Sequence, residues 1–145
     1  MALGTNVLAY AEGINGTPRK ADALDLLQRL PSDAALLPVQ ILGELFQLLL
    51  RKLNRTPTQA RAAILGWRDA FPLIETSEAV ILGAAELAAS HRFSFWDGVV
   101  LASAAEGGCR LLLSEDLQDG FTWNGVTVAN PFGPTLHPLL NHLLS

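Results

Sequence analysis

The sequence has few of the features that mark several protein classes. It contains a single cysteine, Cys109, which excludes an internal disulfide and favours a reducing compartment. No apolar run reaches the roughly 18 residues of a membrane-spanning helix, and no basic segment opens the chain. We therefore expect a cytoplasmic protein with neither a membrane contact nor a signal peptide. The formal net charge is −4, which argues against a protein that grips nucleic acid with a broad basic surface.

Common catalytic motifs are also missing. The chain has no P-loop, no GxGxxG sequence and no nucleophile elbow. Ser114 has no histidine placed by the sequence to activate it, and the three histidines do not have the spacing of metal ligands. Any catalytic chemistry must therefore come from the acidic residues.

The 145 residues are half hydrophobic, which suits a single domain over 1–145 with a buried core. Short apolar segments predict buried strands at 2–5, 34–37, 73–75 and 110–113. Longer segments between and after them predict helices over 21–30, 39–53, 57–70, 77–91, 94–106 and 136–144. Asn124-Gly125 predicts a hairpin between 121–123 and 126–128. The alternation predicts an α/β fold, a three-layer α/β/α sandwich with a parallel central sheet.

In such sheets, ligands bind at the carboxyl ends of the strands. Two polar segments are candidates for that edge: 4–6, with the sequence Gly-Thr-Asn, and 114–116, with the sequence Ser-Glu-Asp. Because two polar residues at a strand end usually support a charged group, the absence of an acid in the first segment is unexpected.

Glu44 is the only charged residue between 36 and 50. A carboxylate buried alone is costly, so a buried Glu44 must be paired or bound to a metal. An ordinary explanation is also open, because Gln40, Gln47 and Arg51 share its helical spacing and complete a solvated stripe.

Two further acids have both a functional and an ordinary interpretation. Asp97 begins an apolar helix and would be rigidly aimed there, but it also forms a capping-box-like pair with Ser94. Asp116 follows a buried strand, with Glu115 and Asp119 close in sequence. Three acids in five residues repel one another unless they are solvated or neutralised by a cation, so a solvated turn remains an alternative.

Taken together, four segments resemble the PIN domain family, the metal-dependent ribonuclease fold of VapC-type toxins. They are TNVLAYAEG at 5–13, VQILGELFQLLLRK at 39–52, HRFSFWDGVVLASAAEGGCRLLLSEDLQDG at 91–120 and NPF at 130–132. The third segment is the most specific, because it joins an acid-bearing helix to a strand and an acidic turn at the family's spacing.

The resemblance implies that carboxylates bind Mg²⁺ or Mn²⁺ and that a metal-activated water hydrolyses RNA phosphodiesters. It also implies a VapB-like antitoxin partner and a homodimer, for which the apolar 36–50 segment is a candidate surface. The residues that it implicates are the acids Glu44, Asp97 and Asp116, a possible water-mediated contribution from Asp119, and the supporting residues Thr5, Asn6 and Ser114. By the same resemblance, Thr5 and Asn6 orient the first acid and the turn around it.

Gly4 departs from the family pattern, because it stands where the resemblance places the first acidic ligand. We interpret it as a missing ligand rather than a glycine that the turn requires, and we predict an inactive or impaired nuclease. Two explanations compete, a laboratory or cloning variant of an active toxin and a natural variant kept for binding, and the three remaining acids, with Thr5 and Asn6 still present, favour a recent loss. One alternative is a non-catalytic PIN module that binds RNA or a protein. A hydrolase with an aspartate nucleophile is a weak third candidate, because Gly4 stands where that aspartate belongs.

Overall fold

The computed structural model describes residues 1–31 and 33–145 and contains six strands and seven helices in that part of the chain. The strands are β1 (Ala2–Leu3), β2 (Leu37–Pro38), β3 (Leu73–Ile74), β4 (Leu111–Leu113), β5 (Thr122–Trp123) and β6 (Val126–Ala129). The helices are α1 (Thr5–Ala11), α2 (Thr17–Arg29), α3 (Val39–Lys52), α4 (Pro57–Ala70), α5 (Glu78–His91), α6 (Phe95–Glu106) and α7 (Pro138–Leu144). In the part of the chain that is described, no helix is both long and apolar enough to cross a membrane.

The strands form a mostly parallel sheet. Four of them lie in the order β1-β4-β6-β5, in which β1 and β6 run parallel to β4 and only β5 is antiparallel. The parallel pair β2-β3 lies beside β1, where Ala2 and Leu36 form a bridge. The antiparallel edge follows from the predicted hairpin, since Asn124 and Gly125 both have positive φ angles. The predicted α/β fold class with a parallel central sheet is confirmed.

Helix α6 lies in the core and sets the position of its own N-terminus. Its residues from Gly98 to Ala104 are all buried, as expected of a helix that is apolar on every side. A Cβ atom at Gly98 would lie 3.1 Å from the carbonyl oxygen of Ala84 in α5. The glycine therefore allows α5 and α6 to pack closely, and this contact holds the first turn of α6 in place.

The first strand is shorter than the predicted segment 2–5. It ends at Leu3, and α1 begins at Thr5 without an intervening polar turn. Residues 7–11 are all buried, and a continuous apolar segment does not distinguish a strand from a buried helix by periodicity. The strand predicted over 34–37 is likewise displaced, because only Leu37 and Pro38 pair with β3.

Candidate active site

A small cleft of about 20 Å³ lies at the carboxyl ends of β1 and β4, where α1, α3 and α6 come together. This volume is close to that of a single bound water. The cleft is lined by Gly4, Thr5, Asn6, Ile41, Glu44, Asp97, Val100, Ser114, Asp116 and Leu117. The structure thus brings together every site residue named from the sequence except Asp119, although these residues come from four separate segments of the chain.

Glu44 is held by hydrogen bonds at both carboxylate oxygens. The Thr5 hydroxyl donates to Oε2 at 2.5 Å, and the Gln40 side-chain amide donates to Oε1 at 3.4 Å. Glu44 is half-buried, so the stripe that it shares with Gln40 exists but does not leave it fully solvated. The resemblance gave Thr5 the role of orienting a first acid, whereas in this chain Thr5 orients Glu44.

Asp97 lies both at the capped start of α6 and beside the cleft. Its backbone N–H donates to the hydroxyl of the N-cap residue Ser94 at 3.3 Å, and Asp97 is also one of the residues that line the cleft. Because α6 is fixed by its contact with α5, Asp97 projects from a rigid helix start.

Asp116 lies in a negative environment. Burial of its carboxyl, followed by the negative charges of Asp97 and Glu115, raises the pKa of Asp116 above the usual range of an aspartate. Asp97 and Asp116 are therefore close enough to repel each other, which favours binding of a cation or a proton between them.

The two other acids of this turn are engaged elsewhere. Glu115 accepts a hydrogen bond from the Tyr10 hydroxyl and lies 3.6 Å from the Arg19 guanidinium. Asp119 Oδ1 accepts a hydrogen bond from the backbone N–H of Asn130 at 2.9 Å, which ties the turn to the end of β6. Of the three acids, Asp116 alone lines the cleft.

Gly4 lies at the closest approach of β1 and β4. Its backbone N–H donates to the Leu113 carbonyl oxygen at 2.8 Å, and a Cβ at position 4 would lie only 2.7 Å from that same oxygen. The φ angle of −82° suits any residue, so the restriction comes from the neighbouring strand and not from the local backbone conformation. A side chain at position 4 therefore requires the ends of β1 and β4 to move apart, although the local conformation of the turn does not itself require glycine.

The donor set fits a divalent cation only in part. Carboxylate oxygens are ligands that Mg²⁺ and Mn²⁺ prefer, and three acids line one cleft. Among residues 1–31 and 33–145, however, no three His, Cys, Asp or Glu side chains are grouped so that they could hold a metal ion. Gly4, which also lines the cleft, has no side chain that could bind a cation.

Sequence reasoning did not identify the apolar wall of the cleft or the partner of Glu115. Ile41 and Val100 form part of the cleft wall, and their spacing of three residues from Glu44 and Asp97 was the available signal. Tyr10 and its partner Glu115 are 105 residues apart, and no local pattern indicates that contact.

Comparison with known proteins agrees with this geometry. A model of the PIN domain family matches residues 1–119, whereas no curated protein matches the sequence. Among solved structures, VapC20 from Mycobacterium tuberculosis, a toxin that cleaves the sarcin-ricin loop, is 22% identical over 79% of this chain and 88% of its own, with a TM-score of 0.66. A toxin–antitoxin complex from Klebsiella pneumoniae is 18% identical over 90% of this chain and 97% of its own, with a TM-score of 0.67. FitAcB from Neisseria gonorrhoeae is 19% identical over 90% of this chain and 97% of its own, with a TM-score of 0.66. Because the family model covers most of the sequence, this chain belongs to the PIN domain family.

Proposed function

We propose that this chain is a VapC-like endoribonuclease toxin that depends on Mg²⁺ or Mn²⁺ and is impaired because Gly4 replaces the first acidic ligand. The observation that carries the proposal is the convergence of Glu44, Asp97 and Asp116 on one cleft at the carboxyl edge of the sheet. Family membership and the fold shared with toxin structures support the same reaction class.

Within this proposal, each acid has a distinct task. Thr5 holds one oxygen of Glu44, and the capped start of α6 holds Asp97. Because the pKa of Asp116 is raised by burial and by the nearby Asp97 and Glu115, its carboxylate takes up a proton at a higher pH than an ordinary aspartate does, and cation binding weakens as it does so. A bound divalent cation would supply an activated water and offset charge on the phosphate. Asp119 contributes at most through water, since its Oδ1 already accepts the Asn130 N–H.

The partners follow from the same comparison. The Klebsiella pneumoniae structure is a toxin–antitoxin complex, and we extend this arrangement to a VapB-like antitoxin for the present chain. Phe46 and Leu50 on α3 are only partly buried, which makes this helix a candidate surface for the antitoxin or for a homodimer. A cytoplasmic location completes the proposal.

The decisive experiment restores the acid. Gly4→Asp is incubated with single-stranded RNA and Mn²⁺ beside the unmodified chain and the double variant Gly4→Asp/Asp97→Asn. We expect Gly4→Asp to cleave RNA, with loss of cleavage in EDTA and in the double variant. If folded Gly4→Asp binds Mn²⁺ but leaves RNA intact, the nuclease proposal fails.

One observation favours a second candidate, a non-catalytic PIN module that binds RNA or a protein. The close approach of the Leu113 carbonyl to Gly4 is what a backbone long adapted to glycine would show. Under this alternative, Asp97→Ala and Asp116→Ala leave binding unchanged, and no substitution at position 4 produces cleavage.

A further inference from the structure

Trp96 is unusually open to solvent for its size, with 55% of its surface exposed. The two other tryptophans are engaged: Trp123 is buried, and the Trp67 indole N–H donates to Glu12 at 3.0 Å. Single exposed apolar residues are common on protein surfaces. The exposure of Trp96 therefore indicates a function only if this residue lies near a site.

Trp96 lies in the first turn of α6, next to residues that line the acidic cleft. It directly precedes Asp97 and lies one helical turn before Val100, and both of these residues line the cleft. Residues four apart share a helix face, and side chains tilt toward the helix N-terminus. Trp96 therefore lies on the same face of α6 as Val100, which lines the cleft.

The ring is also oriented by a neighbour. Phe95 packs edge-on against it, with the ring centroids 4.9 Å apart and the planes at 82°. Trp96 is the one exposed large apolar residue of α6, all of which the structure describes. A protein partner usually buries a contiguous apolar patch, whereas a single oriented aromatic ring suits a flat ligand.

The negative charges near the site disfavour a ligand that binds mainly by electrostatic attraction to its phosphates. Glu44, Asp97 and Asp116 line the cleft, and the chain has a net charge of −4, so attraction to phosphates contributes little affinity here. Stacking of a base on an aromatic ring does not depend on basic residues and is available to every base.

We propose that Trp96 is the stacking platform for a base of single-stranded RNA bordering the cleft. This inference rests on the proposed function, because it assigns the residue that positions the RNA substrate at that site. Trp96 is a positioning residue in this role, since it contacts a base and not the reacting phosphate.

The test compares binding of a fluorescein-labelled decaribonucleotide by anisotropy in Mg²⁺, with the intact length of the RNA checked on a gel. The variants are Trp96→Ala, Trp96→Phe and the matched control Leu82→Ala, which removes a side chain that is 63% exposed on α5. We expect Trp96→Ala to raise Kd about 5- to 100-fold. Trp96→Phe keeps a ring and recovers most of the affinity, and Leu82→Ala leaves Kd unchanged. Sedimentation should show the same oligomeric state for all four proteins.

Three outcomes contradict the inference, and they separate it from the proposed function. Equal RNA affinity of Trp96→Ala and the unmodified chain overturns the role of Trp96 while leaving the nuclease proposal intact. A change in oligomeric state with RNA affinity retained assigns Trp96 to a protein interface. Absence of RNA binding by the unmodified chain and by Leu82→Ala overturns the role of Trp96 as an RNA-binding residue, whereas the nuclease proposal is decided by the Gly4→Asp assay.

Discussion

Replacing Gly4 by alanine isolates the steric restriction at the centre of the site. The added Cβ lies 2.7 Å from the Leu113 oxygen, so the strand ends must separate by about 0.3 to 0.7 Å to reach contacts of 3.0 to 3.4 Å. Both groups belong to the backbone and are joined by the Gly4 N–H bond to that oxygen. Overpacking of this kind costs about 1 to 3 kcal/mol, and the lower entropy of unfolded alanine offsets about 0.4 to 1 kcal/mol of it.

We therefore expect Gly4→Ala to lose about 1 to 2 kcal/mol, which corresponds to a Tm lower by about 3 to 8 °C. Gly4→Asp carries the same steric cost plus repulsion from Asp97 and Asp116, and it should melt lowest in EDTA. Saturating Mn²⁺ should raise the Tm of Gly4→Asp well above its value in EDTA, since a ligand at 100 times its Kd stabilises by about 2.7 kcal/mol. The Tm of Gly4→Ala, which has one carboxylate fewer than Gly4→Asp, should rise much less in Mn²⁺.

The assay is thermal unfolding followed by circular dichroism, in EDTA and in Mn²⁺, for the unmodified chain and both variants. A Gly4→Ala protein that melts at or above the unmodified chain would refute the steric argument and restore the interpretation of Gly4 as a recent loss. Equal stabilisation of all three proteins by Mn²⁺ would show that position 4 is not part of the cation site.

Two further predictions concern stability. The pKa of Asp116 is raised in the folded state, so folding favours the protonated form of this carboxyl. The resulting stabilisation of the fold is present below the ordinary aspartate pKa and is lost as the pH rises through the folded value. Asp116→Asn should therefore raise the Tm at pH 7, and the gain in Tm should shrink toward about pH 3. A gain in Tm that grows in acid contradicts this reasoning. Glu12 accepts hydrogen bonds from Arg55 at 2.5 Å and Trp67 at 3.0 Å, so Glu12→Ala should lose about 1 to 3 kcal/mol in urea unfolding. The double variant with Arg55→Ala should lose less than the sum of the two single losses, and strict additivity would show that the pair is not coupled.

Elements whose signals are local were predicted closely from the sequence. Helix α4 spans Pro57–Ala70 as predicted, because Pro57 suits the first helical position and Thr56 and Gln59 form a capping box. The hairpin at Asn124-Gly125 was also predicted correctly, since these residues readily adopt the positive φ angles of a tight turn. The limits of β1 and β2 were less accurate, because the length of a two-residue strand depends on its partner strand.

The acids that line the cleft were candidates in the sequence, Glu44 because a carboxylate in an apolar segment is costly, and all three because their segments resemble one family. Which acids share the cleft was decided by contacts between distant segments. Thr5 donates to Glu44 across 39 residues, and Tyr10 engages Glu115 across 105 residues, leaving Asp116 at the cleft. The interpretation of Gly4 differs most between the sequence and the structure. The sequence showed a missing carboxylate, and only the packing of β1 against β4 revealed that a carbonyl oxygen occupies the space that a side chain would need.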